Sequence, residues 1–597
     1  MPILSPSADP RIPAYDPGVA RAFARLVGGW WRGTSAGRAW FLSLALAGLV
    51  VANIGLNVTV NAWNRMFFDA LEKRDGGTLL FGVVVFAGLV AAIAAVGVLI
   101  VLTRETLQVR WREWLVGRLT SLWLTRQRYY RLSLAQVEPP NPEQRIADES
   151  RLSTEPVVDF AIGLLNALLS FAAFIGILWT VGGAITVPLG GTVITIPAYM
   201  TLAALAYGVA MSILALKIGR PLVAGNIAKN ESEARYRFEL TRLRENAESI
   251  ALIKGEGDER VILDRSYGHL VARWLAVVRL HGRLTWITNA SGALVPVVPV
   301  LLATPKFLSG ELSLGAVTQL AAAFVQVQLA FAWLVDHYKP LAQWYASARR
   351  VMALVEAADE LDRSLDGPVR GIELRDAPDI GIALSQLTVC DRLGHVLIRD
   401  ANAIIAPGEK VLLVGDSGIG KSTLVRAIAG LWPWGSGGIA APRGTGIAFV
   451  PQRPYLPLGT LRAALLYPAH DLACADAALG KVLGDCGLRH LAHRLDDVER
   501  WDQILSSGER QRLAFARLFL HRPAVVILDE ATSALDEAGQ TALMSLLRES
   551  LPDTTLISIG HRPGLETFHD RRLTLTRHED GARLTCERAL QLVRAMG

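Results

Sequence analysis

Apolar residues in this chain follow two different rhythms, and the change falls near position 340. Before it, long apolar runs recur at Trp40–Trp63, Leu79–Leu102, Val157–Val181, Pro197–Ile218, Leu284–Thr304 and Leu314–Val335. Each is close to the ~20 residues a helix needs to cross the hydrocarbon core of a bilayer. One such run can be mimicked by a buried helix of a soluble domain, but six in succession predict six membrane spans. The fifth carries Pro296 and Pro299, which a membrane helix tolerates and most soluble helices do not. After the charged segment Glu356–Arg370 the apolar runs shorten and alternate with amphipathic stretches, the pattern of an α/β domain around a buried sheet. The predicted fold class is an all-α, six-helix membrane domain fused to an α/β domain.

The rest of the first half fits around those spans. Residues Met1–Asp16 are proline-rich and read as extended, with no apolar core of a secretory signal. Over Gly18–Arg32 the spacing predicts an amphipathic helix with Val19, Phe23, Leu26, Val27 and Trp30 on one face and Arg21, Arg25 and Arg32 on the other. Tryptophan with arginine suits a helix lying in the membrane interface more than one on a soluble core. Gly182–Ile196 reads as an uncharged loop, whereas Arg104–Glu155 and Lys217–Arg283 are long and arginine-rich. Positive charge favours the cytoplasmic side, which puts both long connections and both termini there. The expected organisation is a tail and interfacial helix over 1–39, a membrane domain over 40–355, a linker over 356–371 and a soluble domain over 372–597.

Composition narrows this picture. A chain of 597 residues, 51% hydrophobic, is too long for one core and too apolar for an ordinary soluble protein. The net charge of +6 raises nucleic acid as a partner. Much of the arginine flanks the spans, however, and no RNA-binding or recognition-helix pattern is present, so no nucleic-acid partner is expected. Cys390, Cys474, Cys486 and Cys586 lack any C-x-x-C spacing and read as free thiols in a reducing cytoplasm rather than a zinc site. Within the spans, Asn53, Asn57 and Asn61 form a polar stripe, and Gln319 and Gln326 share a face with Gln328, Asp336 and His337 nearby. Asp159 sits at the cytoplasmic end of the third span. Two readings stay open: bonds that hold the bundle together, or a water-filled path for a hydrophilic substrate.

The chemistry is concentrated in the second half. An apolar strand, Val411–Val414, runs into Gly415-Asp416-Ser417-Gly418-Ile419-Gly420-Lys421-Ser422, and a helix-like run from Thr423 leaves it. This is the phosphate-binding loop G-x-x-x-x-G-K-[ST] in its required strand–loop–helix setting. Its N–H groups and helix N-terminus cradle phosphate, Lys421 reaches the outer phosphates, and Ser422 binds a magnesium ion. Downstream, Ile447–Val450 is a strand leading to Gln452, and Ala524–Leu528 is a strand ending in Asp529 and Glu530. After a phosphate loop, such acids suit magnesium binding (Asp529) and orientation of an attacking water (Glu530).

Between these lies Leu505-Ser506-Ser507-Gly508-Glu509, which resembles the L-S-G-G-Q signature of the ATP-binding cassette family, with Ser507 in place of the first glycine. The remaining family elements follow in order: Gln452 as the glutamine loop, Ser533-Ala534-Leu535-Asp536 as the loop that crosses to a second nucleotide domain, and His561 as the switch histidine. The resemblance implies an exporter-type membrane domain joined to a P-loop nucleotide-binding domain. The stretch that usually stacks adenine, Leu387–Asp391, contains no aromatic residue, which leaves Val389 or a neighbour to support the base.

A narrower resemblance rests on Asn141-Pro142-Glu143-Gln144-Arg145-Ile146, Glu245-Asn246-Ala247-Glu248-Ser249-Ile250, Gly430-Leu431-Trp432-Pro433-Trp434-Gly435 and Gly560-His561-Arg562. These are similar to the branch that contains peroxisomal acyl-CoA half transporters and bacterial SbmA/BacA-like uptake transporters. It implies a half transporter of the bacterial inner membrane working as a homodimer. ATP and Mg2+ would lie between Lys421 of one copy and Ser506 and Gly508 of the other. Hydrophilic peptides, peptide antibiotics or cobalamin-like molecules are the implied cargo. Lipid or acyl-CoA export is one alternative, and a non-transporting membrane ATPase that regulates a partner is another.

Overall fold

A computed structural model describes residues 17–139, 141–189, 192–365, 371–377, 381–442, 446–469, 474–560 and 562–587. The chain forms two compact units, one of residues 1–130 with 137–358 and the other of residues 131–136 with 359–597.

In the first unit, six helices among the described residues are long and apolar enough to cross a membrane. The second, fourth and fifth extend well past the apolar runs, because charged, helix-favouring sequence continues them. The first and second, Ala36–Lys73 and Gly76–Leu124, meet at a tight turn. Arg74 there is left-handed, and the Asp75 carboxylate accepts from the N–H groups of Gly77 and Thr78, capping the second helix. Tyr199–Glu245 and Glu256–Leu294 pack side by side and form the second long hairpin, whose tip is the short helix Ala247–Ile253. The fifth span breaks at Pro296 and resumes as Val297–Leu308. Proline offers no N–H, so the hydrogen-bond ladder is interrupted there although Val295 and Pro296 both keep right-handed helical angles.

Two expectations change here. Gly182–Ile196 is not an irregular loop: Ile185–Leu189 and Thr192–Ile196 pair as an antiparallel hairpin. Runs of β-branched residues on either side of Gly190-Gly191 are a hairpin pattern, which the lack of charge disguised as a plain connection. The amphipathic helix is present as Pro17–Val27, but its apolar face is covered by the chain itself. Phe23 meets Trp344 edge-on, and Trp30, on the turn that follows, stacks on Trp111.

Most of the polar positions in the spans turn out to be bonded to backbone or to neighbouring helices. The buried Asn61 donates to the Gln319 carbonyl at 3.0 Å and the buried Gln328 donates to that of Ala204 at 2.9 Å. Asn57 donates back to Asn53 O of its own helix. Gln108 and Arg104 of the second span hold Asp159 of the third. His337 stacks on Trp333, Gln326 stays half-buried, and the Asp336 side chain lies outside the described residues. At the far end, the carboxylates of Asp69 and Glu72 accept from the N–H groups of Gly315 and Leu314, capping the sixth helix from the first.

The second unit holds two sheets. A four-stranded one contains Ile382–Cys390 between Val396–Ile405 and Gly435–Ala441. The six-stranded one runs, in spatial order, Arg583–Glu587, Arg571–Thr576, Lys410–Gly415, Thr555–Ile559, Val525–Asp529 and Ile447–Val450. All neighbours are parallel except the edge pair 571–576/583–587. Strands buried on both faces read as continuous apolar runs, as Val525–Leu528 does. The short segment Arg131–Gln136 belongs to this unit: Arg131 donates to Gly430 O at 3.1 Å, and Arg392 donates to Ala135 O.

Candidate functional site

Parallel strands present all their carboxyl ends on one side, and loops leaving that side converge. Here those loops carry Gly415–Gly420 after the first motif strand, Asp529-Glu530 after the second and Gln452 after Ile447–Val450. His561, which follows Thr555–Ile559, lies outside the described residues. Three described segments, spread from Gly415 to Glu530, are thereby brought to one edge by sheet order alone.

The loop itself is shaped by glycine. Gly420, at φ +110°, is the left-handed N-cap of helix Lys421–Ile428, whose first turn includes Ser422 and Thr423. Gly415, at φ +152°, passes so close to the next strand that a Cβ would lie 2.7 Å from Leu575 O. Only glycine fits both demands, and the resulting curl is the cradle a phosphate chain needs. Asp416 and Ser417 occupy the outer part of the loop and Gly418 its second left-handed position. The Lys421 ammonium folds over the loop and donates to the carbonyls of Gly415 and Asp416. Burial draws its pKa below the ordinary lysine value, against the pull of Glu530, Asp416 and Asp529.

The acids stand beside it. Burial pushes the Asp529 carboxyl above its ordinary value, and a hydrogen bond from Ser422 works the other way. A serine hydroxyl and a carboxylate side by side are hard oxygen ligands of the kind Mg2+ takes. Glu530 leaves the strand in a left-handed conformation, φ +49°, with its N–H bonded to Ile559 O. A non-glycine residue in that region stores strain, a recurrent trait of functional positions. Its Oε2 accepts from Gln452 Nε2 at 3.1 Å. The sequence-derived set Lys421, Ser422, Gln452, Asp529 and Glu530 is therefore assembled.

The signature forms a separate feature at the start of helix Ser507–His521. Ser506 and Glu509 make a capping box: Ser506 Oγ accepts from Glu509 N, and the Glu509 carboxylate accepts from Ser506 N and Oγ. Those bonds, Ser506 Oγ foremost, hold Glu509 below the usual carboxylate range, and His490 adds a contact at 3.0 Å. Ser507 is the first helical residue, takes ordinary helical geometry and accepts from Arg510, so the position needs no glycine. Gly508 is more closely confined: a Cβ there would lie 3.2 Å from Ala534 O, a tight contact. Asp536 caps the helix Glu537–Ser550 that follows that loop.

One of the supports expected for adenine is excluded: Val389 is fully buried in the core of the smaller sheet and has no face to offer, whereas its neighbours Thr388, Cys390 and Asp391 are half-buried. The strand alternates, and position 389 falls on the inward side.

Two residues carry roles that the sequence motifs do not assign. Gln511, 1% exposed, reaches the glutamine loop and the loop Ser533-Ala534. Arg562 donates to Ser533 O at 2.7 Å and to Leu535 O, bracing the same loop from the other side. A signal for the first existed: Gln511 interrupts the inward stripe Gln511, Ala514, Phe515, Leu518 of its helix. Arg562 closes the Gly560-His561-Arg562 motif, but nothing in that motif marks it as a brace for this loop.

Comparison with known proteins adds the following. Residues 33–308 match the family ABC transporter transmembrane region 2, and residues 398–533 match the family ABC transporter. An uncharacterized ABC transporter ATP-binding protein of Haemophilus influenzae is 34% identical over 79% of this chain and 78% of its own length. An inner membrane ABC transporter ATP-binding protein of Escherichia coli is 29% identical, covering 89% and 92% respectively. The chloroplastic ABC transporter D family member 2 of Arabidopsis thaliana is 28% identical, over 93% and 86%.

Proposed function

This chain belongs to the ABC transporter family, with one membrane domain and one ATP-binding domain, and on that premise we propose that two copies form an ATP-driven transporter. The observation that carries the reading is the Gln452–Glu530 hydrogen bond beside the Ser422–Asp529 pair and Lys421. In this arrangement the N–H groups of Gly415–Thr423 and the Lys421 ammonium hold the β- and γ-phosphates. Ser422 and Asp529, with Gln452, suit a Mg2+ ion, which when bound neutralises charge on the phosphate oxygens. Glu530 orients a water in line with the γ-phosphorus and takes its proton as the bond to ADP breaks. Gln452 keeps that carboxylate aligned. Ser506, Gly508 and Glu509 of the second copy close the site, with the Ser533–Asp536 loop crossing between copies and His561 serving as the switch histidine.

The cargo we favour is hydrophilic: peptides, peptide antibiotics or cobalamin-like molecules, taken up across a bacterial inner membrane as in the SbmA/BacA-like branch, with both termini cytoplasmic. The half-exposed Asn53, Asn57 and Gln326 support it, while the buried Asn61 and Gln328 amides are bonded to backbone carbonyls of neighbouring helices. A second reading has its own support. Arg279, Arg283 and Trp286 are exposed along one face of Glu256–Leu294, a combination suited to an anionic amphiphile such as a lipid or acyl-CoA.

The test has two stages. Glu530→Gln should abolish turnover while trapping ATP in a closed dimer; ordinary hydrolysis by that variant refutes the assignment. In proteoliposomes, ATP-dependent movement of a proline-rich peptide or cobalamin supports the favoured cargo, and movement of acyl-CoA alone selects the second. Hydrolysis with no movement of either points to a regulatory ATPase.

A further inference from the structure

The geometry points to Gln511 as a positioning residue that sets the Gln452–Glu530 contact and ties it to the signature helix. Its amide is buried and fully used. Nε2 donates to Gln452 O at 3.1 Å and to Ser533 Oγ at 3.2 Å, and Oε1 accepts from Ala534 N at 3.0 Å. A primary amide offers two donated hydrogens and an acceptor, so these three bonds satisfy it in one orientation.

What those bonds grip gives the residue its role. Gln452 is held at its backbone by Gln511 while its side chain reaches Glu530 Oε2 at 3.1 Å. On the other flank, Ser533 N bonds Glu530 O at 3.0 Å, closing a turn whose far end, Ser533 and Ala534, Gln511 also holds. Both partners of the catalytic contact are thus anchored to one buried side chain. Gln511 itself rides on helix Ser507–His521, one turn beyond Ser506 and Gly508, and Gly508 abuts Ala534 O of the same loop. A shift at the start of that helix moves Gln511, and with it the spacing between Gln452 and Glu530.

Stacked bulk does not explain the choice of side chain. The neighbours Leu513, Ala514, Phe515 and Leu518 form an apolar core that a methionine at 511 would extend at nearly constant volume. An unpaired amide there is costly, so the glutamine persists for its bonds.

The inference rests on Glu530 and Gln452 acting as proposed, and Glu530→Gln in the same preparation controls for that. Full-length protein carrying Gln511→Met, Ser533→Ala, Gln452→Ala or the double change Gln511→Met/Gln452→Ala is assayed for kcat and KM for MgATP. Gln511→Met should lower kcat by about 10- to 100-fold, the scale of loss from displacing a catalytic group by an ångström, with KM within about twofold. Added to Gln452→Ala it should cost little more, because both act on one contact. Ser533→Ala, which removes one acceptor, should lower kcat several-fold with an unchanged melting midpoint. An unchanged kcat in Gln511→Met, a rise in KM in place of a fall in kcat, or a full additional loss in the Gln452→Ala background overturns the inference. If Gln511→Met does not fold, Ser533→Ala decides, and wild-type kcat there overturns it. Normal turnover by Glu530→Gln instead refutes the underlying reading.

Discussion

Ser506 is given two jobs by its position, and two substitutions separate them. As the N-cap of helix Ser507–His521 it accepts from Glu509 N at 3.3 Å and donates to the Glu509 carboxylate at 2.8 Å. As a signature residue it would also present its hydroxyl to ATP held by the second copy. Ser506→Ala deletes both cap bonds and keeps the third member of the box, Ser506 N to Glu509 Oε2 at 2.9 Å. The freed Glu509 N–H stands at an exposed helix start where water replaces the lost acceptor, and the lost bond was long. The cost should therefore fall near ~1 kcal/mol, within the usual 0.5–2 range for such caps. Spread over a domain of this size, that lowers the melting midpoint by roughly 2–4 °C. Ser506→Gly also removes the hydroxyl, but glycine caps nearly as well as serine, so its cost is only a few tenths of a kcal/mol. The pair is assayed as full-length protein in detergent, by thermal melt and by ATPase rate. Stability should separate the two variants while ATPase activity should not, both falling by about 10- to 1,000-fold as expected for loss of a phosphate donor. If Ser506→Gly keeps wild-type turnover and only Ser506→Ala loses it, Ser506 is a cap and nothing more, and the composite site loses its principal residue.

Other outcomes follow from the same structure. The Glu509 carboxyl is held below its ordinary value of 4.5, so its stabilising effect is complete above pH 4.5 and vanishes as pH falls through the lower folded value. A Glu509→Gln variant should accordingly melt below wild type at pH 7, with the gap closing under pH 4.5; a gap that widens in acid contradicts the capping role. Cys486 is buried, and burial pushes its thiol up to about 12, whereas Cys586 is exposed. Brief maleimide treatment at pH 7.5 followed by mass spectrometry should modify Cys586 and spare Cys486 until the domain is unfolded.

The legible and illegible parts of this protein divide by range. Six spans could be read directly, because an apolar run of bilayer length states its environment without reference to any partner. Gly415–Ser422 was equally legible: the left-handed glycines, the lysine and the serine that shape the loop are contiguous. So were Asp529 and Glu530, placed at the end of a strand whose apolar run announces burial. What tertiary structure alone decided concerns partners distant in sequence. Asn61 looked equally suited to a polar passage until Gln319, from another helix, took up its amide. Val389 looked available to a base until the register of its strand turned it inward. Gln511 shows in sequence only as a polar break in an apolar stripe, and it acquires meaning because folding brings Gln452 and Ser533 within reach of one amide. Hydrophobic period and turn chemistry are written locally; which buried polar group meets which is settled by packing, since a desolvated amide must take whatever partner the fold delivers.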